Sequence, residues 1–222
     1  MDFENKYKSE HFIINYDSID EDVAKRVINS LENNYQRILD FFKITDFKDI
    51  TIVNIYPTRE SYKELITQNN RVYQDWMIGS YWNGRINFIS SNAIKDCPNI
   101  QESILNDIVH EFIHVVIHKL NNKVPRWLNE GLANCLSKND ITWYINSISN
   151  LIDEGKIPTL EELSIGDSIK FNDMKGYQFS MYYVDLIIKK YGNDMIIKLV
   201  KDYSYINEID MKELLTNNKK ML

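Results

Sequence analysis

Hydrophobic residues in the first half of the chain form one helical stripe and several short β-rich runs. Between residues 23 and 42 they recur every three or four positions, which is the period of an amphipathic helix. The segments 12–16 and 50–56 are instead short runs of β-branched and aromatic residues, which indicates strands. Thr58 is placed to cap a short helix that extends to about residue 66.

The second half of the chain has a helical pattern almost throughout. Before it, between residues 78 and 90, the Asn83-Gly84 pair predicts a β-hairpin because both residues tolerate the positive φ angles of a two-residue turn. The predicted helices cover residues 101–120, 126–137, 141–153, 177–191, 193–202 and 207–216. Strands followed by helices indicate an α+β fold, with a small N-terminal mixed sheet and a mainly helical C-terminal half.

The length of the chain allows one or two compact regions. It has 222 residues, of which 44% are hydrophobic, and this is ample for a sizeable core. We predict subdomains at 1–140 and 141–222. The break at Gly155-Lys156-Ile157-Pro158 is an equally good boundary, and a single compact unit is the alternative.

Charge and composition exclude several classes of partner. The formal net charge of −6 argues against a nucleic-acid partner, which would require a basic patch. No run approaches the roughly 18 apolar residues of a membrane span. The start of the chain lacks the apolar core of a signal peptide, so we expect a cytoplasmic protein, or a secreted one if the natural chain begins before Met1. Cys97 and Cys135 are expected to be free thiols, and the default oligomeric state is a monomer.

A chemical motif, His110-Glu111-Phe112-Ile113-His114, lies within the most apolar predicted helix. Side chains four residues apart lie one above the other on a helix, so His110 and His114 can present two imidazoles to one metal ion. Glu111 is turned aside, towards a water molecule that the metal activates. Burying these three polar side chains without partners would cost several kcal/mol, which favours a metal site over two surface histidines.

Glu130 is the best candidate for a third ligand. His114 lies six residues before Leu120, the predicted end of its helix, and Glu130 lies five residues after Pro125, which suits a helix start. At a rise of about 1.5 Å per residue, both lie about 8–9 Å from the connecting turn. Two antiparallel helices would therefore bring the carboxylate level with the imidazoles, and this ligand set leaves the open position of a hydrolytic zinc centre.

The sequence HEFIH followed by WLNEGLA resembles the gluzincin metallopeptidases. It is most similar to their peptidase MA-like members, which pair H-E-x-x-H with W-L-x-E-G-x-A. The resemblance implies a zincin-like domain that holds one zinc ion through His110, His114 and Glu130, with Glu111 as the general base. It also implies a peptide or protein substrate and a helical C-terminal subdomain that packs over the site.

Two further residues complete the predicted site. Asn134 stands where the thermolysin-like pattern has an aspartate that orients a zinc histidine; its amide oxygen can accept an imidazole N–H but carries no charge. A peptidase also needs a hydrogen-bond donor for the oxyanion. No histidine follows His118, so we expect a tyrosine, and among Tyr177, Tyr182 and Tyr183 we favour Tyr177 because it opens its predicted helix and matches a tyrosine expected in peptidase MA-like chains.

The predicted function is that of a zinc metallopeptidase, with an endopeptidase favoured over an aminopeptidase. The strand at 85–89 precedes the motif helix, as the substrate-pairing edge strand does in zincin folds. The resemblance therefore implies an edge strand to which an extended peptide could add, and a plain sheet strand is the alternative. The alternative is a catalytically inactive zincin scaffold that binds peptides or proteins. A purely structural zinc site is disfavoured because two histidines and one glutamate leave a coordination position open.

Overall fold

The computed structural model describes residues 2–94, 100–138 and 140–218, and it has the predicted α+β architecture. The chain divides into two compact units after Val115, within the helix that carries the histidine motif. The subdomain boundary expected near residue 140 stays a prediction. Cys97 lies outside the described residues.

The first unit contains a mixed five-stranded sheet with the order β1-β2-β3-β5-β4. Its strands are β1 (Asn5–Lys8), β2 (Phe12–Tyr16), β3 (Thr51–Tyr56), β4 (Gly79–Trp82) and β5 (Arg85–Ile89). The three inner strands, β2, β3 and β5, are parallel, whereas β1 and β4 pair antiparallel at the two edges. The sequence pattern predicted the inner strands and the hairpin but did not predict β1.

The predicted β-hairpin is confirmed, but the predicted edge strand is wrong. Asn83 and Gly84 have φ angles of 51° and 74°, as a tight two-residue turn requires. The segment 85–89 forms β5, which is hydrogen-bonded to β3 on one side and to β4 on the other. The hairpin therefore places β4 at the end of the sheet order, beyond β5.

Among the residues that the structure describes, three α-helices belong wholly or partly to the first unit. They are α1 (Glu21–Phe42), α2 (Arg59–Gln68) and α3 (Ile100–Leu120). The predicted apolar stripe of α1 is buried. Thr58 caps α2 as predicted, since its side chain accepts a hydrogen bond from the Ser61 backbone N–H at 3.1 Å.

A row of asparagines crosses the inner strands of the sheet. Asn15 donates to Asn54 Oδ1 at 2.8 Å, and Asn54 donates to Asn87 Oδ1 at 2.9 Å. The three residues are directly opposite one another in the strand register. Because Asn54 and Asn87 are buried, a slip of register would leave their amides without partners, so the row stabilises one register over its neighbours.

The second unit is helical in the residues that the structure describes. After the end of α3, its helices are α4 (Arg126–Ser137), α5 (Thr142–Asn146), α6 (Ser149–Asp153), α7 (Ser168–Asp173), α8 (Gly176–Tyr191), α9 (Asn193–Lys201) and α10 (Met211–Asn218). No helix in the described part of the chain is both long and apolar enough to cross a membrane.

Two of the predicted helices differ from the structure. The predicted helix at 141–153 is interrupted between α5 and α6, where the Ser147 hydroxyl donates to the Tyr144 carbonyl and competes with the helical backbone for it. The start of the helix predicted at 207–216 is wrong because 203–208 forms a 3₁₀ helix capped by the Asp202 side chain. The short helix α7 was not predicted.

Close packing of α4 on α8 fixes the helix that carries Glu130. A Cβ atom on Gly131 would lie 2.5 Å from the Ser180 carbonyl oxygen, so only glycine permits this approach of the two helices. One turn earlier, the buried Trp127 donates its indole N–H to the Tyr203 hydroxyl at 3.0 Å. The backbone on both sides of Glu130 is therefore held in place.

Candidate metal centre

The two histidines of α3 converge on one point. His110 Nε2 and His114 Nε2 lie 3.0 Å apart. Two nitrogens at about 2.05 Å from a tetrahedral zinc ion would be about 3.3 Å apart, so the observed spacing requires only a small adjustment to hold one ion. His110 is half-buried and His114 is 9% exposed, which limits competition from solvent.

Phe112 anchors α3 from the side opposite to the histidines. Its ring lies 5.1 Å from that of Phe12 in β2 and 5.7 Å from that of Tyr35 in α1. At 3.6 residues per turn, Phe112 projects about 180° around the helix from the mean direction of His110 and His114. Packing Phe112 into the core of the first unit therefore turns both imidazoles away from that core.

Glu130 supplies the third potential ligand, as the sequence predicts. The candidate ligand atoms of His110, His114 and Glu130 all lie within 4.8 Å of one another. They form the one group of three or more metal-ligating side chains found among the described residues. Two imidazole nitrogens and one carboxylate oxygen at this spacing could hold a metal ion, and zinc is among the ions that bind such donors.

Glu111 stands beside this group rather than within it. It follows His110 in the helix and projects about 80° away from the mean direction of the two histidines. The carboxylate is half-buried and faces the start of β4, where a Cβ built on Gly79 would lie 3.3 Å from Oε1. The Glu111 carboxylate is therefore separate from the candidate ligand atoms, although Glu111 is the next residue after His110 in α3.

Asn134 is buried one turn after Glu130 and hydrogen-bonds to Glu130 and to Lys138, the residue that follows α4. Its amide nitrogen donates to the Glu130 carbonyl at 2.9 Å, and its amide oxygen accepts from Lys138 Nζ at 2.9 Å. The amide oxygen expected to support a zinc histidine therefore contacts a lysine. The side chain links two turns of the helix that carries the carboxylate ligand.

The three candidate tyrosines occupy different environments at the start of α8. Tyr182 and Tyr183 are each 2% exposed, and the Tyr183 hydroxyl donates to the Pro158 carbonyl at 2.8 Å. Burial raises the pKa of Tyr183 to about 12 and also raises that of Tyr182. Tyr177 is half-buried and lies edge-on to Phe171, with ring centroids 4.9 Å apart. Two of the tyrosines are thus core residues, and Tyr177 is the more accessible one.

The cysteine that the structure describes has no part in the candidate site. Cys135 is a free thiol, as predicted, and donates to the Met181 carbonyl over 3.7 Å. Burial raises the pKa of its thiol to about 12, so the thiolate that would bind a metal or act as a nucleophile is disfavoured.

Comparison with known proteins adds no relative to this description. Neither a protein-family model nor a curated protein matches the chain.

The sequence pattern did not point to Gly79 or to the small cavity next to it. Gly79, Asp107 and Glu111 line this cavity together with the apolar residues Ile78, Phe88, Ile104 and Ile108. A glycine before a predicted hairpin is ordinarily read as part of a turn. Its contact with α3 depends on sheet order, which no local sequence signal specifies.

Proposed function

We propose that the protein is a zinc-dependent metallopeptidase of the gluzincin type, with a zincin-like arrangement of the motif helix, the glutamate helix and the mixed sheet. The observation that carries this proposal is the convergence of His110, His114 and Glu130, whose candidate ligand atoms lie within 4.8 Å of one another. A glutamate placed directly beside two such histidines is the arrangement that metal-assisted hydrolysis needs.

Each residue of the site has a separate task in this proposal. His110, His114 and Glu130 would hold the ion, which when bound polarises a peptide carbonyl and makes a water molecule more acidic. Glu111 accepts a proton from the attacking water on a carboxylate oxygen and later donates it to the leaving amine. Tyr177 is the proposed hydrogen-bond donor to the oxygen of the attacked carbonyl.

The edge strand β4 is the proposed docking strand for the substrate. It is antiparallel to β5 and lies at the end of the sheet order, which is where a further strand would add to this sheet. An extended peptide can add to such an edge through main-chain hydrogen bonds. Gly79, the first residue of β4, lies next to Glu111, so a peptide paired with this strand would pass close to the proposed base.

The deciding experiment compares the parent chain with Glu111→Gln for zinc content and for cleavage of a mixed peptide library. Because Glu111 is not among the ligands, both proteins should bind one zinc ion. Replacing the carboxylate by an amide removes the proton acceptor, so the rate of cleavage should fall by at least about 100-fold. Glu60→Gln makes the same chemical change at an exposed position in α2 and should leave cleavage unchanged.

Two results would contradict the proposal in different ways. If neither protein bound zinc, the metal centre itself would be refuted. If both bound zinc and neither cleaved any peptide, the inactive peptide-binding scaffold would replace the enzyme.

A further inference from the structure

Gly79 lies so close to Glu111 that a side chain at position 79 would press against the carboxylate. It opens the edge strand β4, and a Cβ built there would lie 3.3 Å from Glu111 Oε1 and 3.5 Å from Glu111 Cγ. Gly79 does not have a positive φ angle, unlike Gly84 and Gly192. The backbone conformation therefore does not demand glycine, and the reason for glycine is the close approach to Glu111.

The backbone on both sides of this contact is held in place. The Ile89 N–H donates to the Ile78 carbonyl at 2.9 Å, and Gly79 is paired with Phe88 across the hairpin. On the other side, α3 is fixed by Phe112 and Ile113, which are both fully buried. An added methyl group at position 79 would therefore be accommodated by movement of the Glu111 side chain.

A cavity next to the contact gives the carboxylate somewhere to move. It has a volume of about 10 Å³, which is room for one water-sized group, and it is lined by both Gly79 and Glu111. Its other walls include Phe88 and Ile108, which are buried and apolar. A displaced carboxylate would turn within this space and lose the position that adjoins the ligand group.

We propose that Gly79 is a positioning residue that sets the location of the Glu111 carboxylate by bringing the β4 backbone against it. This inference rests on the proposed function, in which Glu111 is the general base. In this inference β4 positions Glu111 in addition to pairing with the peptide. A displacement of a few tenths of an ångström lowers the rate of proton transfer more than it changes substrate or metal binding.

The test uses Gly79→Ala, with Gly166→Ala as the matched control. A Cβ on Gly166 would meet nothing within 4 Å, and this glycine does not have a positive φ angle. For Gly79→Ala we expect kcat to fall about tenfold, with KM and zinc affinity within about twofold of the parent values. For Gly166→Ala all three quantities should be unchanged.

A second measurement detects the contact between position 79 and Glu111 through stability, without an activity assay. The thermal midpoint of unfolding is determined for the parent, Gly79→Ala, Glu111→Ala and the double variant. Replacing glycine by alanine in a strand should stabilise the protein through the unfolded state, and the contact with Glu111 should oppose this gain. Gly79→Ala should therefore raise the midpoint more when Glu111 has been truncated to alanine.

The outcomes separate this inference from the proposed function. If Glu111→Gln abolishes cleavage but Gly79→Ala behaves like Gly166→Ala, the positioning role is refuted and the peptidase stands. If the parent chain cleaves nothing, the peptidase fails and the catalytic role of Gly79 fails with it. If Gly79→Ala does not fold, Glu111→Ala in the same chain should restore folding, and failure to restore it would overturn the inference.

Discussion

For single residues, the position of a side chain around its helix decides which other groups it can contact. His110 and His114 are four residues apart in α3 and place two ring nitrogens 3.0 Å from each other. Glu111, between them in sequence, projects to another side and faces β4 instead. A spacing of four residues was enough to predict the histidine pair because helix geometry is local. The contact of Glu111 with a strand was not predictable, since it is made between distant parts of the chain.

Tyr177 and Tyr183 offer a matched pair of hydroxyl deletions. Because Tyr177 is the proposed donor to the oxyanion, Tyr177→Phe should lower kcat by about 100-fold or more while zinc affinity remains unchanged. Tyr183→Phe removes a buried hydrogen bond to the Pro158 carbonyl, so it should lower stability by about 1 kcal/mol with little effect on kcat. Steady-state kinetics and denaturant unfolding of both variants check this, and an unchanged kcat in Tyr177→Phe would remove the tyrosine from the mechanism.

At the scale of secondary-structure elements, the sheet derives its register from polar as well as apolar residues. The asparagine row connects β2, β3 and β5, and its central member, Asn54, both accepts from Asn15 and donates to Asn87. Short runs of β-branched and aromatic residues predicted the strands at 12–16 and 50–56 but gave no sign of this row. Each asparagine looks like an ordinary polar residue until the register places it opposite the others.

Asn54→Ala should destabilise the first unit because it leaves the buried Asn87 amide oxygen without its donor. The expected loss in the free energy of unfolding is about 1–3 kcal/mol. Asn15→Ala is the comparison: it also removes a donor, to the Asn54 amide oxygen, but Asn15 is half-buried at the end of the row, so water can replace part of the interaction and the loss should be smaller. Urea unfolding of the two variants measures the difference in the free energy of unfolding. Equal losses would contradict the larger contribution expected of the buried, central Asn54.

At the scale of the whole molecule, metal binding should be visible as stability. A ligand that binds only the folded state adds about 2.7 kcal/mol at a free concentration of 100 times its Kd. For a chain of 222 residues this corresponds to a rise in Tm of about 5–10 °C. We expect this rise on addition of zinc to the parent protein and its reversal by a chelator.

The same measurement tests Glu130 as a ligand. Glu130→Gln should lose most of the zinc-dependent rise in Tm because an amide is a weaker ligand than a carboxylate. Glu161→Gln changes an exposed glutamate that is not in the candidate site and should keep the full rise. An equal rise in both variants would exclude Glu130 from the coordination sphere.

Features that depend on neighbours along the chain could be predicted without the structure. Periodicity predicted α1 and most later helices, the Asn83-Gly84 pair predicted the hairpin, and the four-residue spacing predicted the pair of histidines. Helix lengths on both sides of the turn before Pro125 also predicted Glu130 as their companion. These signals are local because helix rise and turn geometry repeat from residue to residue.

The strand that forms the edge of the sheet, and the residue that lies against the proposed base, are set by contacts between distant parts of the chain. The predicted edge strand became the inner strand β5, because sheet order is set by packing between segments that are distant in sequence. The asparagine row and the approach of Gly79 to Glu111 follow from that order. Alternation of residues fixes which face of a strand is buried, but it does not specify which neighbour the strand will have.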